Sequence, residues 1–241
     1  MTATIVAPSA LQQEYRSRGF VPLHGRFSPE DVADWISERD RLTAGFARAT
    51  AERYQRRRTV SGGMILDRID PVCDVSPVFA ALAADERILA PVAELLGEVP
   101  ALLKGKLIVK RPGTAGYGLH QDFPYWAWLG LPAEELLSVL VAVDAADAGN
   151  GGVEVFPGLH HERLQPSPDD PRDIDEQVMD LATGSIPSLA AGDLLLFHSL
   201  TPHRSAPNVS TLSRTALFFT YVPARHGDLY ARYHASGRPG H

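Results

Sequence analysis

The chain has a single cysteine, Cys73. One thiol cannot close an internal disulfide, so the fold needs no oxidising compartment. No apolar run reaches the length that a membrane-spanning helix requires. The stretch from Met1 to Pro8 has neither a basic leader region nor an apolar core of the secretory type, so a cytoplasmic location is expected. Positive charge is not in excess either. With 23 Lys and Arg against 29 Asp and Glu, the formal charge is −6, and a nucleic-acid partner wants a basic face. The one dense basic run, Arg56-Arg57-Arg58, reads as a solvated helix face. No internal repeat is visible.

What is present suits a globular domain. The 241 residues are 44 % hydrophobic, 22 % charged and 8 % aromatic, enough for a sizeable core. The expected organisation is one domain over 1–241. It has mostly helical support over 1–100, a β core over 101–224 and a tail over 225–241. Residues 9–18 read as a short helix and Gly19 to Leu23 as a first strand. Ser28 is a good N-cap, Pro29 suits the first helical position, and Asp31 can complete a capping box, with Phe27 and Val32 as a hydrophobic staple. Val32, Trp35, Ile36, Leu42 and Phe46 recur at helical spacing. Ser76-Pro77 opens another helical stretch. Asp85 to Leu96 continues helically, with a break expected at Pro91 and a stop at Gly97.

From residue 101 the texture becomes that of short strands: Leu102–Lys110, Leu137–Val143, Val153–Phe156, Asp193–Phe197 and Thr215–Val222. Turn residues between them predict an antiparallel sandwich or barrel, giving a mainly β fold with flanking α. The polar, proline-rich segment 163–187 is long for a compact domain, which points to a lid or a disordered excursion. The last residues of the tail are expected to be mobile.

The chemistry gathers at two places. In Gly118-Leu119-His120-Gln121-Asp122-Phe123, a His and an Asp stand two apart, and on an extended strand such residues share a face. Alone, the pair reads more readily as a strand-end His beside a turn Asp. His203 lies 81 residues after Asp122, just past the apolar strand Leu194–Phe197, and it too would be unremarked in isolation. Together they make two imidazoles and one carboxylate, the donor set that holds non-haem Fe(II) with positions left open. Arg214 strengthens this. It stands at the start of an apolar strand, and a guanidinium entering a barrel needs an anionic partner.

At these residues the sequence resembles the phytanoyl-CoA dioxygenase family. The resemblance rests on His120-Gln121-Asp122, on Gly151-Gly152-Val153-Glu154-Val155-Phe156-Pro157-Gly158-Leu159-His160, and on His203, Ser205, Asn208, Ser210 and Arg214 in their order. It runs from the helix at Ser28 to Val222. It implies a double-stranded β-helix (jelly-roll or cupin-like) core with N-terminal helices packed on it. It also implies an oxygenase using Fe(II), 2-oxoglutarate and O2. By the resemblance, His120, Asp122 and His203 would hold iron. Arg214 and Ser205 would hold the distal carboxylate of 2-oxoglutarate, and Leu140 would line the cosubstrate. Lys104 and Lys106 match positions that approach 2-oxoglutarate in some members, against the alternative of solvent-facing lysines on an edge strand. Halogenating relatives replace the metal carboxylate with a small residue; Asp122 is retained here, which disfavours that reaction.

The expected reaction is hydroxylation or oxidative cyclisation of a small molecule, with release of succinate and CO2. Phe123, Tyr125, Trp126 and Trp128 form either a pocket wall or ordinary core. His160, His161 and Arg204 are candidates to orient a hydroxylated substrate. There is no basic patch for a coenzyme A phosphate. The sequence resembles compact bacterial tailoring oxygenases of antibiotic biosynthesis, including those closing orthoester rings on sugar-containing scaffolds. Two other classes stand beside this one: a cupin-type isomerase or epimerase without O2 chemistry, and a binding or sensing protein that keeps the fold without turnover.

Overall fold

A computed structural model describes residues 7–45 and 54–236. Phe46 lies outside the described residues, as do the termini at 1–6 and 237–241. Helix α1 (Ala10–Arg18) is capped by Ser9 and stops at Gly19, which takes a left-handed φ of 81°. Strand β1 (Phe20–Leu23) follows, then α2 (Pro29–Ala44). At the start of α2 the Asp31 amide donates to Ser28 Oγ, and the Ser28 amide donates to the Asp31 carboxylate. Phe27 and Val32 are buried in one apolar cluster, as the staple requires.

Two expectations for this half are corrected. Strands β2 (Tyr54–Arg58) and β3 (Met64–Ile69) pair as an antiparallel hairpin, so Arg56–Arg58 lies in a strand and not on a helix. Three arginines carry no periodicity of their own; the pairing partner decides their backbone. Next come α3 (Pro77–Ala83) and α4 (Glu86–Leu96), and α4 runs through Pro91 unbroken. Proline removes the amide that would reach the Arg87 carbonyl. Arg26 Nη2 donates to that carbonyl instead, at 3.1 Å.

The remaining elements are β4 (Pro100–Lys110), β5 (Tyr117–His120), α5 (Phe123–Trp126), β6 (Leu137–Ala142), β7 (Val153–Val155), β8 (Leu194–His198), β9 (His203–Ser205), β10 (Arg214–Pro223) and α6 (Leu229–Ala235). Among the described residues the strands form a seven-stranded sheet, β1-β8-β6-β10-β4-β3-β2, and a three-stranded sheet, β5-β9-β7. The pairings are antiparallel. This is the expected double-stranded β-helix.

Alternation along the central strands sorts the core. Val139, Val141, Leu196, Leu217 and Phe219 face the helices and pack with Trp35, Ile88 and Val92. Leu140, Leu195, Phe197 and Ala216 face the small sheet and pack with Val153 and Val155. Burial on both faces explains why β6 reads as a continuous apolar run.

Segment 163–187 is laced to both edges of the small sheet. The Ile174 amide donates to the Leu119 carbonyl on β5 at 2.7 Å, and Ser185 pairs with Val155 on β7. Its backbone polar groups thus close two strand edges that would otherwise be exposed. The tail is also more structured than its composition suggests. Leu229 and Tyr233 of α6 are buried, so residues up to 235 belong to the packed body. Among the described residues no helix is long and apolar enough to cross a membrane.

Candidate active site

His120 ends β5 and His203 opens β9, and the two are paired directly in register. That brings their ring centroids to 4.2 Å. Asp122 is not on the extended strand. Its φ of −71° and ψ of −35° place it at the entry to α5, so a turn rather than the strand pleat swings the carboxylate round. One donor atom from each of His120, Asp122 and His203 lies within 4.8 Å of the others. All three residues are buried.

The surroundings fix how these donors point. Nδ1 of His120 bonds the Gly118 carbonyl at 2.7 Å, and Nδ1 of His203 bonds the Thr201 carbonyl at 2.9 Å. With Nδ1–H as donor, Nε2 carries the lone pair in each ring. Burial pushes both imidazoles below their ordinary pKa, keeping them in the neutral form that ligation requires. Ser138 of β6 donates to Asp122 Oδ2 at 3.0 Å and contacts Thr220 of β10 at 3.3 Å.

Arg214 begins β10 and is 2 % exposed. Its Nη2 donates to the Gly151 carbonyl at 2.7 Å, while Nε and Nη1 are buried with no hydrogen-bond partner. Burial pushes the guanidinium down to about 10, so it stays cationic at neutral pH. Lys110, paired with Arg214 in register, donates to Ser205 Oγ at 2.8 Å and to the same Gly151 carbonyl at 3.1 Å. Gly151 sits at φ 74°, and a Cβ there would meet the Ala206 carbonyl at 2.5 Å, so only glycine presents this carbonyl to both cations. Asn208 Nδ2 donates to the Lys110 and Leu212 carbonyls, and Asn208 Oδ1 accepts from Ser210. These two motif residues hold the turn that aims Ser205 and Arg214.

The other sequence candidates divide. Lys104, Lys106, Trp126, Arg204 and Ser205 line one pocket with the three donors and Arg214. The edge-strand alternative for the lysines fails, because β4 lies between β10 and β3. Arg204 is held by Glu154 at 2.6 Å. Leu140 packs with Val155 and Phe197 and pairs with Phe218, which lines the pocket. Phe123 and Trp128 pack in the cluster with Trp126 and Tyr233. The Tyr125 ring stands 6.4 Å from that of His120. His160 and His161 do not face the metal donors; they line a separate pocket with Tyr15, Arg16 and His198. The chain turns at Gly158, whose amide donates to the Arg18 carbonyl at 3.0 Å, and this carries the pair to α1. Lys110, Ser138 and Tyr117 are not among the sequence candidates; Ser138 interrupts the apolar run of β6, while Lys110 keeps the alternation of β4 and gives no signal of its own.

Two imidazoles and a carboxylate, grouped so that further positions stay open, fit a ferrous ion. The two unanswered nitrogens of Arg214 fit a carboxylate held bidentately. Fe(II) and 2-oxoglutarate supply the oxidising chemistry with O2 when bound. The chain's own residues orient the donors and wall the pocket, and Arg214 with Ser205 would hold the diacid.

Fold and site together define a non-haem iron oxygenase with a 2-oxo acid cosubstrate. Comparison with known proteins agrees. The phytanoyl-CoA dioxygenase (PhyH) family model matches residues 15–216, and the chain belongs to that family. It is 29 % identical over 219 residues to the 2-aminoethylphosphonate dioxygenase of uncultured bacterium HF130_AEPn_1, covering 89 % of this chain and 81 % of that enzyme. EctD from S. alaskensis, solved with 2-oxoglutarate and 5-hydroxyectoine, superposes with a TM-score of 0.78 at 24 % identity over 94 % of this chain and 79 % of its own. SnoN, the epimerase of nogalamycin biosynthesis, gives a TM-score of 0.72 at 23 % identity over 89 % of this chain and 82 % of its own. The protein is therefore a 2-oxoglutarate-dependent dioxygenase that uses Fe(II).

Proposed function

We propose that the protein hydroxylates a carbon of a small polar substrate, consuming O2 and releasing succinate and CO2. His120, Asp122 and His203 hold the iron, and Arg214 with Ser205 holds the distal carboxylate of 2-oxoglutarate. The observation that carries this reading is the pairing of a complete donor triad, Asp122 included, with a buried guanidinium that has two unfilled nitrogens. A cupin-type isomerase working without a 2-oxo acid would give Arg214 nothing to hold. Hydroxylation is also the outcome that needs the least from the protein: one carbon near the iron and a pocket that keeps it there.

Support for the substrate comes from two directions. The relative acting on 2-aminoethylphosphonate favours a compact charged molecule. SnoN is an epimerase solved with nogalamycin RO, and buried Trp126 in the pocket wall suits a ring; these support a natural-product substrate, hydroxylated or oxidatively cyclised, as the wider reading. Aerobic incubation of the Fe(II) enzyme with 2-oxoglutarate and each candidate tests the reading, following succinate and product mass. Substrate-dependent succinate with a product heavier by one oxygen supports hydroxylation. A product of unchanged mass, formed without succinate, would sink it in favour of isomerisation.

A further inference from the structure

A second cavity, of about 370 Å³, opens beside α1 and shares no residue with the pocket of the metal donors. Helix α1 supplies Tyr15 and Arg16, the turn after β7 supplies His160 and His161, and β8 ends in His198. The rings gather closely. His160 stands 4.1 Å from His161 and 5.5 Å from His198, centroid to centroid, and Tyr15 stands 6.2 Å from His198. Cavities of this size hold small organic molecules. The cluster is not arranged as a metal centre. Among the described residues only His120, Asp122 and His203 bring three such donor atoms within 4.8 Å of one another.

Two buried nitrogens of this wall are unanswered. Nδ1 of His198 accepts from the Leu200 amide at 3.0 Å, which puts the proton on Nε2. That N–H has no partner among the described residues, although His198 is only 6 % exposed. His160, equally buried, faces the Arg16 carbonyl and leaves Nδ1 without a partner. Burial, and then the imidazoles of His160 and His161, push His198 down to about 4. Burial and His161 push His160 the same way. A negative charge among these rings would reverse that penalty. Arg16 brings the one permanent positive charge and makes no ion pair among the described residues, while Glu134 is the one acid on the wall.

We propose that this cavity binds a small organic monocarboxylate with a planar, apolar body. Its carboxylate lies between the Arg16 guanidinium, whose fork matches it, and the Nε2–H of His198, and His160 takes up a proton to join them. The Tyr15 and His161 rings and Leu95 of α4 cover the body of the ligand. One guanidinium opposed by one glutamate leaves no net fixed charge on the wall. That suits a single negative charge and disfavours a phosphate dianion. The site is additional to the iron centre and does not depend on which substrate that centre oxidises.

The test is calorimetric titration of the anaerobic Fe(II)–2-oxoglutarate enzyme with benzoate, with its neutral isostere benzamide and with inorganic phosphate. Wild type should bind benzoate at about one per chain, and should bind benzamide and phosphate about tenfold more weakly. Arg16→Gln should weaken benzoate about tenfold, the loss of a charge-assisted contact. Glu134→Gln should tighten it about twofold or more by removing the opposing charge. Opposite shifts from two rim residues do not follow from a structural role. The visible band of the iron chelate should be unchanged by benzoate and by both substitutions, which also shows that the variants fold. If benzoate gives no heat, if benzamide binds as tightly, or if Arg16→Gln leaves the affinity unaltered, the proposal falls. Phosphate binding as tightly as benzoate would overturn the monocarboxylate class. A band that shifts or fades as benzoate is added would put benzoate at the iron and overturn the second site.

Discussion

The two faces of the seven-stranded sheet are one residue apart in sequence and differ in what they contain. Toward the helices, β6, β8 and β10 present Val139, Leu196, Leu217 and Phe219, all fully buried and apolar. Toward the small sheet, the same strands and β4 interleave Leu140, Leu195 and Ala216 with Ser138, Thr220, Lys104, Lys110 and Arg214. The first face contributes stability through area removed from water. The second gives up part of that gain to buried polar groups, which are tolerated because each is bonded or awaits a ligand. Structure and chemistry are thus divided by side-chain alternation, and substitutions on the two faces should fail in different ways.

The largest expected effect on activity is at the donor triad. Asp122→Ala should abolish substrate-dependent succinate formation and stoichiometric iron binding, while the circular dichroism spectrum stays that of the native fold. Retention of iron at one per chain would show that the carboxylate is not a ligand. On the opposite face, Leu217→Ala should cost about 2–5 kcal/mol in denaturant unfolding. Its turnover per folded molecule should match wild type; a proportionate loss of turnover would mean that the two faces are not separable. Ser138→Ala removes the hydroxyl that orients Asp122. A change of iron affinity of about 10–100-fold is expected from losing such a support, measured by competition with a chelator, with little change in unfolding midpoint.

The smallest effects lie farthest from both faces. Ser28→Ala should cost about 1 kcal/mol through the lost cap of α2. The Arg87 side chain, and then the Ser28 amide, hold the Asp31 carboxyl below its usual pKa. A depressed carboxylate contributes stability that is complete above its unfolded value, about 4, and fades as pH falls through the folded one. The difference in melting temperature between wild type and Asp31→Ala should therefore shrink below about pH 4. A difference that holds constant through that range would remove Asp31 from the ionic account.

Most of the candidate metal site is legible in the sequence because its signal is local. His120 and Asp122 stand together, His203 follows an apolar strand and Arg214 starts one, and the Ser28 cap is written in five residues. What was not legible depends on partners distant in sequence. Lys110 looks like the end of an alternating strand until β9 brings Ser205 to it. Ser138 sits in an apolar run and gains meaning only from Asp122. Pro91 should break a helix, yet α4 runs through it, with Arg26 donating to the carbonyl it leaves open. The His160 and His161 pair follows a strand that does reach the site, and one turn at Gly158 sends it to the other side. Tyr233, in a tail that reads as polar, becomes a partner of Lys104 because Leu229 and Tyr233 give α6 a buried side.

The central claim is that Arg214 holds a 2-oxo acid against an iron bound by His120, Asp122 and His203. It is tested most directly by anaerobic titration of the metal-free protein with Fe(II) and then 2-oxoglutarate, in wild type and in Arg214→Ala. The account predicts a weak visible charge-transfer band in wild type. In the variant the band should need about tenfold or more additional 2-oxoglutarate, as losing a bidentate ion pair implies. A wild type that binds iron yet never develops the band, or a variant that develops it at the same concentration, would contradict it.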